Sequence, residues 1–359
     1  MILGAHVPLE APQAWAIVAR ARELSIAAVI DGKPLIRKMH AALLDGRLVL
    51  HGAPRSAKSV WVGAPVVAAA EEVVARIPSW MRHPERACPA TTFYRSAQVI
   101  GHMVPIEDPE ARSRGLSALM ARLQPEGGYR PLDPDDPMYR SALRGLGVWA
   151  VEPESISGVI KLGQDLRGGE ILGVLRGLWD RGGPGDLEAI ELICDAHPSR
   201  PRLRSIPGGL MLRCHPGEDD IAASVALVRG QYWNTRFDDG ILAEALRRSA
   251  WVGLSDAGQL IATARGISDG TKRAWIYDVV VASSHRGRGL GTILVSTLLD
   301  HPAIRRVHDV RLHTRDAMAF YASLGFVEVR RDRAGPLGPG PYERSEMARL
   351  GGAPASAGA

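Results

Sequence analysis

The hydrophobic positions alternate between two periods along the chain, and the changes of period mark out its elements. Residues 11–24 carry apolar side chains at helical spacing and predict a helix. SIAAVID and LLDGRLVLHG follow as strands, the second folding back on itself at Asp45-Gly46. Residues 64–77, rich in alanine, read as a second helix. From Phe93, FYRSAQVIGHMVPIE is dense in strand formers and runs into a helix start, with Asp108 as cap and Pro109 in the first position. Leu116, Leu119, Met120 and Leu123 then share one helical face. A Pro/Gly/Asp-rich loop leads to a helix at 138–146, a strand GVWAVEP, and two short helices at 170–181 and 187–196. Composition changes over 197–219, where a domain boundary is expected. Beyond it the order is helix, strand, strand, helix, strand, helix. The last nine residues, GGAPASAGA, are low in complexity and expected to be disordered.

A chain of 359 residues with 46% hydrophobic and 23% charged positions is ordinary globular material, long enough for two domains with separate cores. The formal charge of +5 is small for this length, and the basic clusters are short and broken. A nucleic-acid partner would call for a concentrated patch or a basic recognition helix, and neither is present. Three cysteines, Cys88, Cys194 and Cys214, are too scattered for a disulfide framework or a zinc site. Thiols kept reduced suit the cytoplasm. The N-terminal residues lack a signal-peptide pattern, and no apolar run is long enough to span a membrane.

The strongest chemical signal is AWIYDVVVASSHRGRGLGTILVSTLL. A strand at 274–282 feeds a glycine-rich loop, which feeds an apolar helix. Arg286, Gly287, Arg288, Gly289, Leu290 and Gly291 fit the pattern Q/R-x-x-G-x-G/A. At such a turn successive backbone N–H groups and the helix dipole converge on an anion, and glycine lets a pyrophosphate approach. Thr292 adds a hydroxyl. A Walker lysine is missing, and so is the acid a dinucleotide fold places about 20 residues on. Downstream, VRLHTRDAMAFYASLGFVEV supplies a strand, a helix with Asp316 and Phe320-Tyr321, and a last strand; upstream lies a hairpin turned at 256–258. This order resembles the GNAT acyltransferase superfamily over about residues 220–332. The resemblance implies acetyl-CoA as donor, with the backbone of Val279, Val280 and Val281 on its pantetheine arm and the loop on its pyrophosphate. Tyr321 matches the usual general acid. Asp278, the one acid on the central strand, is a candidate to take a proton from an amine, or else a structural acid. Asp316 is expected to cap its helix.

The N-terminal signal is LVLHGAPRSAK, a strand ending at His51 followed by a glycine turn with Ser56 and Lys58. It resembles the phosphate edge of the FMN-binding split β-barrels, the pyridoxamine-phosphate-oxidase-like group, over about residues 10–197. IPSWM and VIKLGQDL with GLWDRGGPGDLEAIELI are closer to a branch with FMN-binding transcriptional regulators and haem-dependent piperazate synthases. The resemblance implies FMN held by Ser56 and Lys58, or haem b with His51 as axial metal ligand, or no cofactor. In the haem case Lys161 and Gln164 are candidate polar neighbours. His83 and His102 are expected to be structural.

The combined expectation is an α+β chain. Residues 1–205 form a split β-barrel with flanking helices, residues 206–350 a GNAT mixed α/β sheet, and 351–359 a tail. Its activity is expected to be N-acetylation of a small-molecule amine alongside a flavin-type redox step, in a cytoplasmic homodimer built through the barrel. A piperazate-synthase-like haem enzyme and a cofactor-sensing regulator without catalysis are the alternatives.

Overall fold

A computed structural model describes residues 6–54, 59–199, 202–204, 206–333 and 343–350. The chain is α+β and divides into two compact units. The first holds residues up to 77 and 90–165; the second holds 78–89 and everything from 166 onward.

In the first unit the elements run β1 (Val7–Pro8), α1 (Ala11–Arg20), β2 (Leu24–Ile30), β3 (Lys33–Met39), β4 (Ala42–Leu44), β5 (Arg47–Gly52), β6 (Pro65–Ile77), β7 (Thr91–Pro105), α2 (Pro109–Leu123), α3 (Pro137–Gly145) and β8 (Gly147–Lys161). They form one antiparallel sheet of the split-barrel type, in the order β3-β2-β6-β7-β8-β5-β4, with β1 on β8. Helix α1 packs Ala14, Ile17 and Val18 into a core with Ile26, Ala68, Val99, Met103 and Trp149. A smaller cluster sets Leu116 and Leu119 of α2 and Leu143 of α3 against Val49 and Val148. The Asp108 side chain caps α2 by accepting from the Ala111 amide at 2.7 Å.

Residues 64–77 are a strand, not the expected helix. Along β6 buried positions fall on every second residue at Val66, Ala68 and Ala70, and the strand is sandwiched between β2 and β7. Alanine favours a helix locally, but pairing on both sides outweighs that preference.

In the second unit come α4 (Gly168–Arg181), α5 (Asp186–Ala196), β9 (Met211–Arg213), α6 (Glu218–Val228), α7 (Asp239–Arg247), β10 (Ala250–Asp256), β11 (Gln259–Ser268), β12 (Arg273–Val281), α8 (Leu290–Leu299), β13 (Asp309–Thr314), α9 (Met318–Ser323), β14 (Val327–Arg333) and β15 (Glu343–Leu350). The mixed sheet runs β14-β15-β13-β12-β11-β10-β9, and among the described residues its one parallel pair is β12 with β13. Strand β15 was not anticipated. Helices α6 and α7 cover one face through Ile221, Val225, Leu242 and Leu246, against Trp251 and Val280.

The helices α4 and α5, expected with the barrel, pack in this second unit, together with the excursion 78–89 between β6 and β7. Gly173 and Gly177, one turn apart on α4, make that possible. A Cβ on Gly173 would lie 2.7 Å from the Met81 carbonyl oxygen, and one on Gly177 2.4 Å from Met81 Cγ. Arg82 closes the contact by donating to Glu170 at 3.0 Å. On the other flank Trp179 Nε1 donates to Asp300 at 3.2 Å, and the Arg305 guanidinium donates to the Trp179 and Asp180 carbonyls at 2.9 and 2.7 Å. The expected tail at 351–359 lies outside the described residues.

Candidate functional site

The second sheet opens where β12 and β13 part. The two strands pair at Arg273–Trp275 against Asp309–Arg311 and at no later residue, while β13 stays paired with β15 to Thr314. On its other side β12 carries a bulge against β11: Thr263 pairs with Val280 and Arg265 with Tyr277, so Asp278 and Val279 together face one residue. Asp278 takes the left-handed conformation the bulge needs, φ +53. Such a backbone is costly for a residue with a side chain, and short polar side chains bear it best.

The Asp278 carboxylate is buried and fully engaged. One oxygen accepts from Trp233 Nε1 and Asn234 Nδ2, each at 2.9 Å; the other accepts from Arg265 Nε at 2.5 Å. Three donors, one of them cationic, engage both of its oxygens. Arg265, Trp233 and Asn234 were not singled out in the sequence, because their partner lies 13 to 45 residues away and no local pattern announces it.

Two pockets meet under the opening. The first, ≈ 690 Å³, is lined by Val279, Val280, Val281, Gly287, Gly289, Gly291 and Thr292 with Arg286. Gly287 (φ +76) and Gly289 (φ +74) turn the loop into α8, and Gly289 is the residue before its first turn. Nothing lies within 4 Å of the Cβ position at either, so space is open beside the backbone there. Gly291 serves differently: a Cβ there would meet Phe320 at 3.3 Å, so it seats α8 on α9. Arg286 folds back, its Nε donating to the Val281 carbonyl at 3.1 Å, and ties the loop to the end of β12. Arg288 lies on the loop but is not among the residues lining the pocket. His285 stands beside it, 3.4 Å from Asp256.

The second pocket, ≈ 440 Å³, is lined by Tyr277, Asp278, Arg236, His313 and Arg344 among others, and shares Tyr232, Trp233, Val279, Asp316, Ala317 and Tyr321 with the first. Tyr321, on α9, is buried between Phe320 and Phe326, with ring centroids 4.9 and 5.8 Å away. Burial first, then the neighbouring Tyr232 and Asp316, push its phenol up to about 12, so it is protonated at neutral pH. Asp316 does not cap α9. It is exposed and pairs with Arg315 at 3.1 Å, while Thr314 Oγ1 accepts from the Ala317 amide.

In the first unit His51 sits at the end of β5, opposite Val148, half-buried with Nδ1 enclosed. Ser56 and Lys58 lie outside the described residues. Lys161 donates to Thr91 Oγ1 at 2.7 Å, and Gln164 accepts from the Leu162 amide, so both close local structure. His102 pairs with Glu154, and His83 Nδ1 accepts from the Glu85 and Arg86 amides. Among the described residues no group of three or more His, Cys, Asp or Glu side chains is placed to hold a metal ion, and no helix is long and apolar enough to cross a membrane.

Two stretches of the chain match known families. Residues 10–160 match the pyridoxamine 5'-phosphate oxidase family, and residues 219–326 match the acetyltransferase (GNAT) family. No curated protein matches the chain. Among solved structures, the FAD and haem binding protein from Mycobacterium smegmatis is 18% identical over 46% of this chain and 78% of its own, with a TM-score of 0.38. The ribosomal-protein-S18-alanine N-acetyltransferase from Escherichia coli is 22% identical over 41% of this chain and 97% of its own, TM-score 0.35. The ribosomal-protein-alanine N-acetyltransferase from Brucella melitensis is 21% identical over 39% and 99%, TM-score 0.34.

Proposed function

From a chain that joins a pyridoxamine 5'-phosphate oxidase-like domain to a GNAT domain, we propose that the second domain acetylates a small-molecule amine with acetyl-CoA. The observation that carries this reading is Tyr321, a protonated phenol lying where the glycine-loop pocket and the second pocket meet. The residues present fit the donor. Open space beside Gly287 and Gly289 admits a pyrophosphate to the N–H groups at the start of α8, and the unpaired stretch of β12 offers backbone to an extended arm. When bound, acetyl-CoA supplies the activated acetyl group.

This chain's own residues do the rest. The loop from Arg286 to Thr292 holds the anionic end, and Arg286 fixes the loop to Val281. Tyr321 donates to the sulfur as it leaves. Asp278 holds Arg265, Trp233 and Asn234 around the second pocket, where the amine is oriented. Calorimetry with acetyl-CoA is the direct test. Micromolar binding lost in Gly289→Glu supports the assignment; equal binding by that variant refutes it.

For the first domain we infer a bound FMN, with haem b on His51 as the alternative, giving a bifunctional protein with a redox step beside the acetylation. The half-buried imidazole at the end of β5, opposite Val148, is the described side chain that would meet a cofactor there. The visible spectrum of the purified protein decides. Flavin bands support FMN, a Soret band lost in His51→Ala supports haem, and a colourless protein that takes up neither on reconstitution refutes both. An exposed apolar face on β2, β3 and β7, with Val29, Ile36 and Ile100, suits a homodimer. A monomeric mass in light scattering would count against it.

A further inference from the structure

An amine acceptor arrives as an ammonium ion and must lose a proton before it can attack, so the second pocket needs a base. Asp278, the candidate read from the sequence, is occupied on both oxygens. Asp316 lines both pockets, but its carboxylate is held by Arg315 at 3.1 Å. Burial raises the Tyr277 phenol, as it does that of Tyr321, and arginines do not titrate. One lining side chain ordinarily changes charge near neutrality, and it is His313.

We propose that His313 is the general base that deprotonates the acceptor amine. The assignment rests on the acyl-transfer reading above. His313 lies two residues beyond Arg311, the last residue of β13 to pair with β12, so it stands at the mouth of the opening. Its ring packs 4.9 Å from that of Trp275 on β12. Behind it, across the β13–β15 pairing, Glu346 Oε2 is 3.9 Å from Nε2, and Arg311 Nη1 holds Glu346 at 2.5 Å. A carboxylate at that distance stabilises the imidazolium that proton uptake creates. The side chain remains 29% exposed, so the proton has a way out to solvent.

The step balances. The ammonium passes one proton to His313. The freed lone pair forms the C–N bond to the thioester carbonyl carbon, the C–S bond breaks, and the sulfur takes the Tyr321 proton. The nitrogen's second proton restores Tyr321, and His313 releases its own to water. The charged and titratable groups that line the second pocket with His313 are Arg344 on β15, Arg265, Tyr277 and Asp278 from β11 and β12, Tyr232, Arg236, Asp316 and Tyr321, and Glu346 on β15 and Arg311 on its own strand stand beside it.

The test is initial rates for wild type and His313→Gln, from pH 6 to 10, with acetyl-CoA and a panel of tyramine, 2-phenylethylamine, ethanolamine and butylamine. On the amine turned over best, the variant is expected to lose about 100-fold in kcat at pH 7. Its KM for acetyl-CoA should stay within about twofold, since His313 lines only the second pocket. The deficit should shrink as pH approaches the amine's own pKa, where the substrate arrives deprotonated. A merely structural role would lower the rate equally at every pH, and that outcome, or a variant as active as wild type, overturns the assignment alone. Wild type that binds acetyl-CoA and acetylates none of the four overturns the acyl-transfer reading and this assignment with it.

Discussion

Glu191, on α5, is the buried acid that sets a pH dependence on the second domain. One of its oxygens accepts from the Cys214 amide at 2.6 Å, and the other lies 3.5 Å from Arg213 Nε. Burial outweighs both partners and raises its carboxyl from an ordinary 4.5 to about 7. The folded state therefore holds a proton that the unfolded state releases. Stability from this group is complete below pH 4.5 and is lost as pH rises toward 7. At 1.36 kcal/mol per pH unit the loss comes to about 3 kcal/mol. Wild type alone will not show it cleanly, because His301 opposes it. Burial lowers that imidazole from 6.5 to about 4, so its contribution is present above 6.5 and lost as pH falls. Glu191→Gln isolates the effect, since the amide oxygen can still accept from Cys214 and does not ionise. The assay is calorimetric unfolding of the full chain at pH 4.5 to 8, scoring the transition that moves upward with acetyl-CoA. Between those limits the variant should gain about 3 kcal/mol on wild type, or roughly 6–12 °C. A difference between the two proteins that is flat with pH would refute the reasoning.

Tyr321→Phe should lower kcat about 100-fold or more with acetyl-CoA binding unchanged by calorimetry, because the ring packing survives and the proton donor does not. Gly177→Ala should destabilise the second unit by about 1–3 kcal/mol in urea unfolding, since its methyl would overlap Met81. Asp278→Ala removes three hydrogen bonds and leaves Arg265 without its carboxylate at a φ alanine resists; a loss of about 3 kcal/mol or more is expected, and Asp278→Asn should recover part of it.

What the sequence showed was local, and what it hid was long-range. The glycine loop, the cap at Asp108 and the strand before the loop are each written in fewer than ten consecutive residues, and each stands in the structure as read. Strand β6 was misread because its alanines speak for a helix and only β2 and β7 on either side make it a strand. The same division runs through the site. Tyr321 lies in a short aromatic and glycine-bearing segment, FYASLGF, that is read without any distant partner. The state of Asp278, by contrast, depends on Trp233, Asn234 and Arg265, which reach it from an earlier loop and a neighbouring strand. An acid on a central strand looks like a base until the donors that hold it are counted. Once they are, the place for proton transfer moves across the opening to β13, and Asp278 becomes the residue that builds the pocket wall. The bulge at Asp278 and the parting of β12 from β13 thus act as one feature. A strand held by a bulge on one side and unpaired on the other leaves a gap, and that gap gives the glycine-loop pocket and the second pocket a common wall at Val279 and Tyr321.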